Sequence, residues 1–254
     1  FATLIAPANP TFQFRDGMTA TGLPIPPGAK FPLGTDTLGR DVFSRVLYGA
    51  QVSLFVSIVA NGLAALLGTS VGLLAGYFAG PFDYVLMRFT DVLLAFPAIL
   101  LALALTTVLK PSVAVVTIVI AMIGWPSLAR LIRSQVLVVR EYAYVESARS
   151  LGATDLHIIF FHVIPQIVTL AVIWATLGLA GTVLIEASLS YLGLGIPLPT
   201  PSWGNMIADG QSQYRSSPWL LLVPGIAILI TTLGFNLLGD ALRDALDPRT
   251  IQRQ

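Results

Sequence analysis

The sequence predicts an all-α protein that crosses a membrane several times, and three observations predict it. Hydrophobic residues fill 55% of the 254 positions and charged ones only 11%, where soluble domains carry about 25% charged residues. Mean hydropathy is +0.81. Beyond a short apolar start, residues 52–79, 92–109, 112–129, 166–185 and 218–239 approach or exceed the roughly 20 apolar residues that a bilayer-spanning helix needs. The third observation is an interruption: between the third and fourth of these runs lies a long charged loop, 130–165.

The chain opens on Phe1 rather than Met, so FATLIAP is expected to begin inside a span whose start precedes it. Counting that stub gives six helices, an even number that puts both termini on one side. Residues 1–51 then hold the end of the first span and an outer loop, and residues 52–254 form the membrane body. In the outer loop, LPIPPGAKFP is proline-rich and reads as extended. After it, Val42, Phe43, Val46 and Leu47 share a face against Arg40, Asp41 and Arg45, the pattern of an interfacial helix leading into the membrane. Its individual charges read as solvated.

The span 52–79 carries Gly68, Gly72, Gly76 and, just beyond it, Gly80, one every four residues. Such a ridge lets two membrane helices approach closely, where packing replaces the absent hydrophobic drive. Asn61, in the same span, either bonds a neighbouring helix or faces the pathway. FDYVLMRFTDVLLAFP turns at the inner face, with Asp83, Arg88 and Asp91 near enough to pair or snorkel. Lys110-Pro111 makes a tight outer turn. Trp125 and Pro126 mark an inner aromatic anchor and a kink. If that helix continues, Arg130, Arg133 and Arg140 fall on one arc that meets lipid phosphates or an acidic partner.

Within the charged loop, YVESARSLGATDLHIIFFHVIP reads as a helix, a sharp turn and a second helix. Gly152 can take the left-handed conformation that closes the first helix. Thr154 can cap the second, with Asp155 favourable at its positive end. Pro165 suits the first turn of the helix that re-enters the membrane. Glu186 lies about one bilayer core further on, at the outer interface, as a hydrated mouth residue or a gate. Trp174 falls mid-span and either packs a helix or lines the pathway. The outer loop 187–217, which contains Trp203, is too rich in Gly and Pro to span. Such backbone is tolerated where protein buries it or an aqueous cavity adjoins it, so Trp203 joins Glu186 as a candidate for the outer mouth. In the tail 240–254, Leu242 and Leu246 share a face and Asp247-Pro248 stops the helix.

Several function classes are excluded. A net charge of +1 argues against nucleic acid as the main partner. No cysteine means no disulfide and no thiolate metal site. Both lysines, Lys30 and Lys110, lie outside any phosphate-cradling G-x-x-x-x-G-K-[ST] loop. No H-E-x-x-H occurs, and His157 and His162, five apart, would diverge around an α-helix, so a zinc site is not expected. Buried acids for a proton relay are also missing. These absences argue against a membrane enzyme and against a stand-alone secondary transporter or channel.

Glu146, Ala148, Gly152 and Pro165 match the spacing of the E-A-A-x3-G loop of ABC-importer permease subunits, which the charged loop resembles. Ser147 stands for an alanine, His162 for an isoleucine and Ile164 for a leucine. GTDTLGRDVFSRVLYGA, GYFAGPFDYVLMRFTDVLLAFP, LSYLGLGIPLPTPSWGNMIADG and GDALRDALDPR resemble the C-type subunit of the dipeptide, oligopeptide and nickel branch. The resemblance implies a type I importer transmembrane domain in a prokaryotic cytoplasmic membrane, with both termini cytoplasmic. Of the 14 Lys and Arg, eight then lie on inner segments and six on longer outer ones. It implies that Glu146, Ser147, Ala148, Leu151, Gly152, Ala153 and Pro165 form the coupling helix that docks on a cytoplasmic ATPase. It also implies a second homologous permease subunit, two ATP-binding subunits, an extracytoplasmic substrate-binding protein and surrounding lipid. ATP and magnesium would sit on the ATPase chains, with no cofactor on this one. Peptide is the expected cargo, and nickel the alternative.

Overall fold

The computed structural model describes residues 2–246, apart from the side chain of residue 3. Among the described residues the regular elements are all helices, residues 6–41 are turns and irregular backbone, and strand-like pairing is confined to isolated bridges: Gln13 with Arg40, Met18 with Pro24, and Thr35 with Asp41. The helices are α1 (Ala2–Ile5), α2 (Val42–Phe78), α3 (Gly80–Ala95), α4 (Ala98–Leu109), α5 (Val113–Val139), α6 (Ala143–Ser150), α7 (Asp155–Ile158), α8 (Ile164–Tyr191), α9 (Trp203–Gly210) and α10 (Trp219–Leu246). A π-turn, Ile159–Val163, joins α7 to α8. Four helical stretches are long and apolar enough to cross a membrane, or five if the bent pair α3–α4 counts as one.

Three boundaries differ from expectation. The turn at Val42 is no separate interfacial helix but the start of a single 37-residue helix. Asp41 starts it, its Oδ2 accepting from the Ser44 backbone N–H at 2.8 Å and from the Ser44 hydroxyl at 2.6 Å. No proline or break follows to separate it from the span. The run 92–109 is not straight: α3 and α4 meet at 91°. Pro97 forces this, because the residue before a proline avoids the helical region, and Phe96 sits at φ −93°, ψ 138°. Finally, the helix re-entering the membrane does not begin at Pro165, since Asp155–Tyr191 is one continuous stretch. Pro165 has no N–H and its ring crowds the preceding turn. The wider turn before it absorbs this, with the Ile164 N–H bonding Ile159 O five residues back.

Two compact units divide the chain. The first contains residues 2–59, 102–119 and 179–234. In it the expected solvated charges are buried. Arg45 is 1% exposed and pairs with Asp36 at 3.1 Å and Asp209 at 3.4 Å, and Arg40 joins the same two acids. The segment before α2 and α9 both reach this turn, so the guanidinium groups are satisfied by carboxylates instead of water. Burial pushes the Asp209 carboxyl up from the ordinary range, against the pull of Arg45 and Arg40. The Trp219 indole N–H donates to Thr35 O at 3.1 Å, fixing the start of α10 to the segment before α2.

The second unit contains residues 60–101, 120–178 and 235–246. Its core runs along α2 and α5 and under the charged loop: Leu73, Tyr77, Leu128, Ile132, Val136, Val145, Ile158 and Val163. Residues 247–254, with the expected Asp247-Pro248 stop, Arg249 and Arg253, lie outside the described residues, as does Phe1 of the stub.

Candidate functional site

The charged loop is built on the second unit as a helix–turn–helix. Helix α6 ends in a six-residue backbone closure: the Ala153 N–H donates to Ala148 O at 3.1 Å and the Gly152 N–H to Arg149 O at 3.0 Å. Gly152 takes φ +86°, which only glycine adopts at low cost. Thr154 then caps α7, its hydroxyl accepting from the His157 N–H. The Tyr77 hydroxyl donates to Asp155 Oδ1 at 2.7 Å and ties this cap to α2.

Burial separates the loop into anchors and a face. Val145, Ile158, Ile159 and Val163 are buried in the core of the unit. Glu146, Ser147, Gly152 and Pro165 are exposed, Ala148 and Ala153 half-buried, and Leu151 is 88% exposed. Beside it opens a cavity of about 620 Å³, lined by Tyr144, Ser147, Ala148, Leu151, Gly152, Ala153, His157 and His162. Five of the seven residues expected in the coupling helix, Ser147, Ala148, Leu151, Gly152 and Ala153, thus border one concavity; Glu146 lies outside its lining, and Pro165 stands apart and acts on the helix backbone.

The arginine arc meets carboxylates of its own chain. Arg133 holds Asp83 through both Nε and Nη2, Arg130 reaches Asp91 at 2.6 Å, and Arg140 lies 3.0 Å from Glu141 and 3.3 Å from Gly76 O. These pairs fix α3 and the end of α2 to the helix that leads into the loop. Arg88 contacts Asp91 only at 3.9 Å.

Along α2, a β-carbon at Gly68, Gly72 or Gly76 would meet α5 at 2.7, 2.4 and 2.8 Å. Gly80 departs from the expected ridge. Nothing lies within 4 Å of it, and its φ of +63° serves the turn into α3. Asn61 is buried and its amide donates to Ala175 O of α8. Trp174 packs with Ala64, Trp125 and Ala129.

The two residues expected at the outer mouth are both interior. Glu186 is 0% exposed, not hydrated. Its Oε1 accepts from the Ser190 hydroxyl at 2.7 Å. Trp203 donates its indole N–H to Val46 O at 3.1 Å and its backbone N–H to Ser53 Oγ at 3.4 Å. Ser202 and Asn205 close a capping box at the start of α9, and a β-carbon at Gly204 would stand 2.2 Å from Ala187 O. Sequence reasoning missed this wedge of α9 against α2 and α8. Its one legible signal was Ser202 followed three residues later by Asn205.

Residues 68–252 match the family model described as "Binding-protein-dependent transport system inner membrane component". A dipeptide transport system permease protein of Alkalihalophilus pseudofirmus is 43% identical over 223 residues, 88% of this chain and 73% of that protein. A glutathione transport system permease protein of Escherichia coli is 44% identical over 249 residues, 98% of this chain and 81% of the relative. Among solved structures, an inward-facing form of the MetNI methionine ABC transporter superposes with a TM-score of 0.65 at 17% identity, over 80% of this chain and 96% of its own.

Proposed function

The chain belongs to the family of binding-protein-dependent transport system inner membrane components, and from that membership we propose that it is the permease subunit of an ATP-driven importer of short peptides. The observation that carries the proposal is the division of the 143–165 loop. Val145 and Ile158 bolt it to the core, while Leu151, Ser147 and Gly152 border a cavity open to a partner. In this reading the loop is the coupling helix. Two ATP-binding subunits, with ATP and magnesium held on those chains, close and push on it. A second permease subunit completes the pathway, and an extracytoplasmic binding protein delivers cargo at the opposite face of a prokaryotic cytoplasmic membrane. Both termini are then cytoplasmic.

Because Tyr77, Arg133 and Arg140 tie the loop and its lead-in helix to α2 and α3, a push there moves a packed body and not a loose connector. The three close glycines of α2 keep α2 and α5 together under that load. Glu186 and Trp203 serve the outer side as the joint holding the α9 wedge on α2 and α8. Peptide and glutathione relatives favour peptide cargo over nickel.

The test is a reconstituted complex with its binding protein. Loaded with short peptides, the binding protein should stimulate ATP hydrolysis and uptake together. Gly152→Pro removes the N–H that closes α6 and excludes φ +86°, and Glu146→Lys reverses charge on the exposed face. Either variant should lower uptake per ATP hydrolysed at least tenfold while inserting and assembling normally. Normal coupling in both would refute the assignment of this loop.

A further inference from the structure

His157 and His162 are five residues apart, and on a regular α-helix their side chains would point roughly 140° away from each other. The structure brings them together. The π-turn at Ile159–Val163 adds a residue to one turn of helix, and five residues then nearly complete it. The two imidazole rings lie with centroids 5.8 Å apart at an interplanar angle of 66°. Two imidazole nitrogens about 2.0–2.1 Å from a tetrahedral zinc would hold their ring centroids roughly 5.2 Å apart. His157 is exposed and His162 half-buried, and both line the 620 Å³ cavity beside Leu151 and Gly152. The Tyr144 ring, 5.9 Å from His162, lines the same cavity, and the Phe161 ring packs against His157 at 4.6 Å.

We propose that His157 and His162 form a two-imidazole site for a borderline divalent cation of the zinc class, and that its occupation blocks the coupling face. Imidazole pairs suit zinc, nickel and copper and exclude magnesium and calcium, which take oxygen ligands. Among the described residues no cluster of three or more His, Cys, Asp or Glu is placed to hold a metal. The remaining positions are therefore water's, and binding is reversible, as an inhibitory site requires. A bound cation bridges the two ends of the π-turn, fixes its register, and sets two positive charges in the concavity. The blocking effect rests on the coupling role proposed above; the metal site does not.

Zinc is the probe, and the assembled complex is the sample. Equilibrium dialysis should count one fewer zinc per copy of this chain when His157→Gln or His162→Gln is present, each variant first being shown to assemble by size exclusion. X-ray absorption on the difference should show two imidazole ligands. Equal zinc in wild type and the double variant overturns the site. In the second arm, micromolar zinc should suppress binding-protein-stimulated ATP hydrolysis at least fivefold in wild type and less than twofold in the double variant. Equal suppression overturns the blocking effect even where the zinc count holds. The coupling role itself is read separately, without zinc, from Glu146→Lys.

Discussion

Replacing Gly72 by alanine adds one methyl group at the tightest approach of α2 to α5. That carbon would stand 2.4 Å from Ala129 O, 2.8 Å from Ile132 Cβ and 3.0 Å from the Arg133 nitrogen. Two of the three are main-chain atoms of a helix and cannot swing aside. Non-bonded heavy atoms settle near 3.5 Å, so the helices must part by roughly 1 Å. Overpacking of this kind costs about 1–3 kcal/mol. Alanine also gains about 0.8–1.0 kcal/mol of helix propensity over glycine, which masks part of the loss. Gly62→Ala supplies the control, because nothing lies within 4 Å of that position on the same helix. The propensity gain then cancels between the two variants, and Gly72→Ala should be less stable than Gly62→Ala by the full 1–3 kcal/mol or so. The measurement is denaturant or thermal unfolding of the detergent-purified chain, with the two variants side by side. Gly68→Ala and Gly76→Ala, at 2.7 and 2.8 Å, should fall between them. Equal stability of the Gly72 and Gly62 variants would refute the close-packed seam.

Gly80→Ala should also destabilise, by about 1–2 kcal/mol, although its surroundings are empty, because the cost lies in φ +63°. Gly80→Asn should recover much of that loss, and the same unfolding measurement distinguishes backbone strain from crowding. Tyr77→Phe removes a hydroxyl that donates to the Asp155 carboxylate; the loss should be about 1.5–3 kcal/mol. Faster hydrogen exchange at amides 154–158, with the rest of α2 unchanged, would locate it, and unchanged exchange there would remove Tyr77 from the anchoring of the loop.

The apolar runs and the loop between them were legible because each is a one-dimensional signal: hydrophobic length, a glycine every four residues, a Thr-Asp cap behind a Gly. What escaped depends on a second segment. Whether Arg45 is solvated turns on Asp36 and on Asp209, which lies 164 residues away. Glu186 reads as a mouth residue by counting 1.5 Å rises, yet the α9 wedge, invisible to that count, buries it. Gly80 continues the four-residue spacing but not its role, since α2 ends at Phe78 and the residue serves a turn. Pro97 and Pro165 illustrate the same dependence. Each removes a donor, but one breaks its helix by 91° and the other is carried through.

The outcome at Pro165 follows from what stands beneath it. Ile158, Ile159, Val163 and Ile167 are all buried in one core, and a break there would expose that whole face to water or lipid headgroups. At roughly 25 cal/mol per Å² of apolar surface, pulling several such side chains out costs several kcal/mol. Widening one turn sacrifices only hydrogen-bond geometry. Before Pro97, Val92 and Leu94 on α3 and Phe96 just after it are already exposed, so little burial opposes a bend. The proline therefore sets where a helix is weakened, and the buried area on either side decides whether it breaks. In the loop that decision leaves α7, the π-turn and α8 as one member, anchored beneath and exposed above, which is the form a surface needs if force applied to Leu151 is to reach the membrane helices.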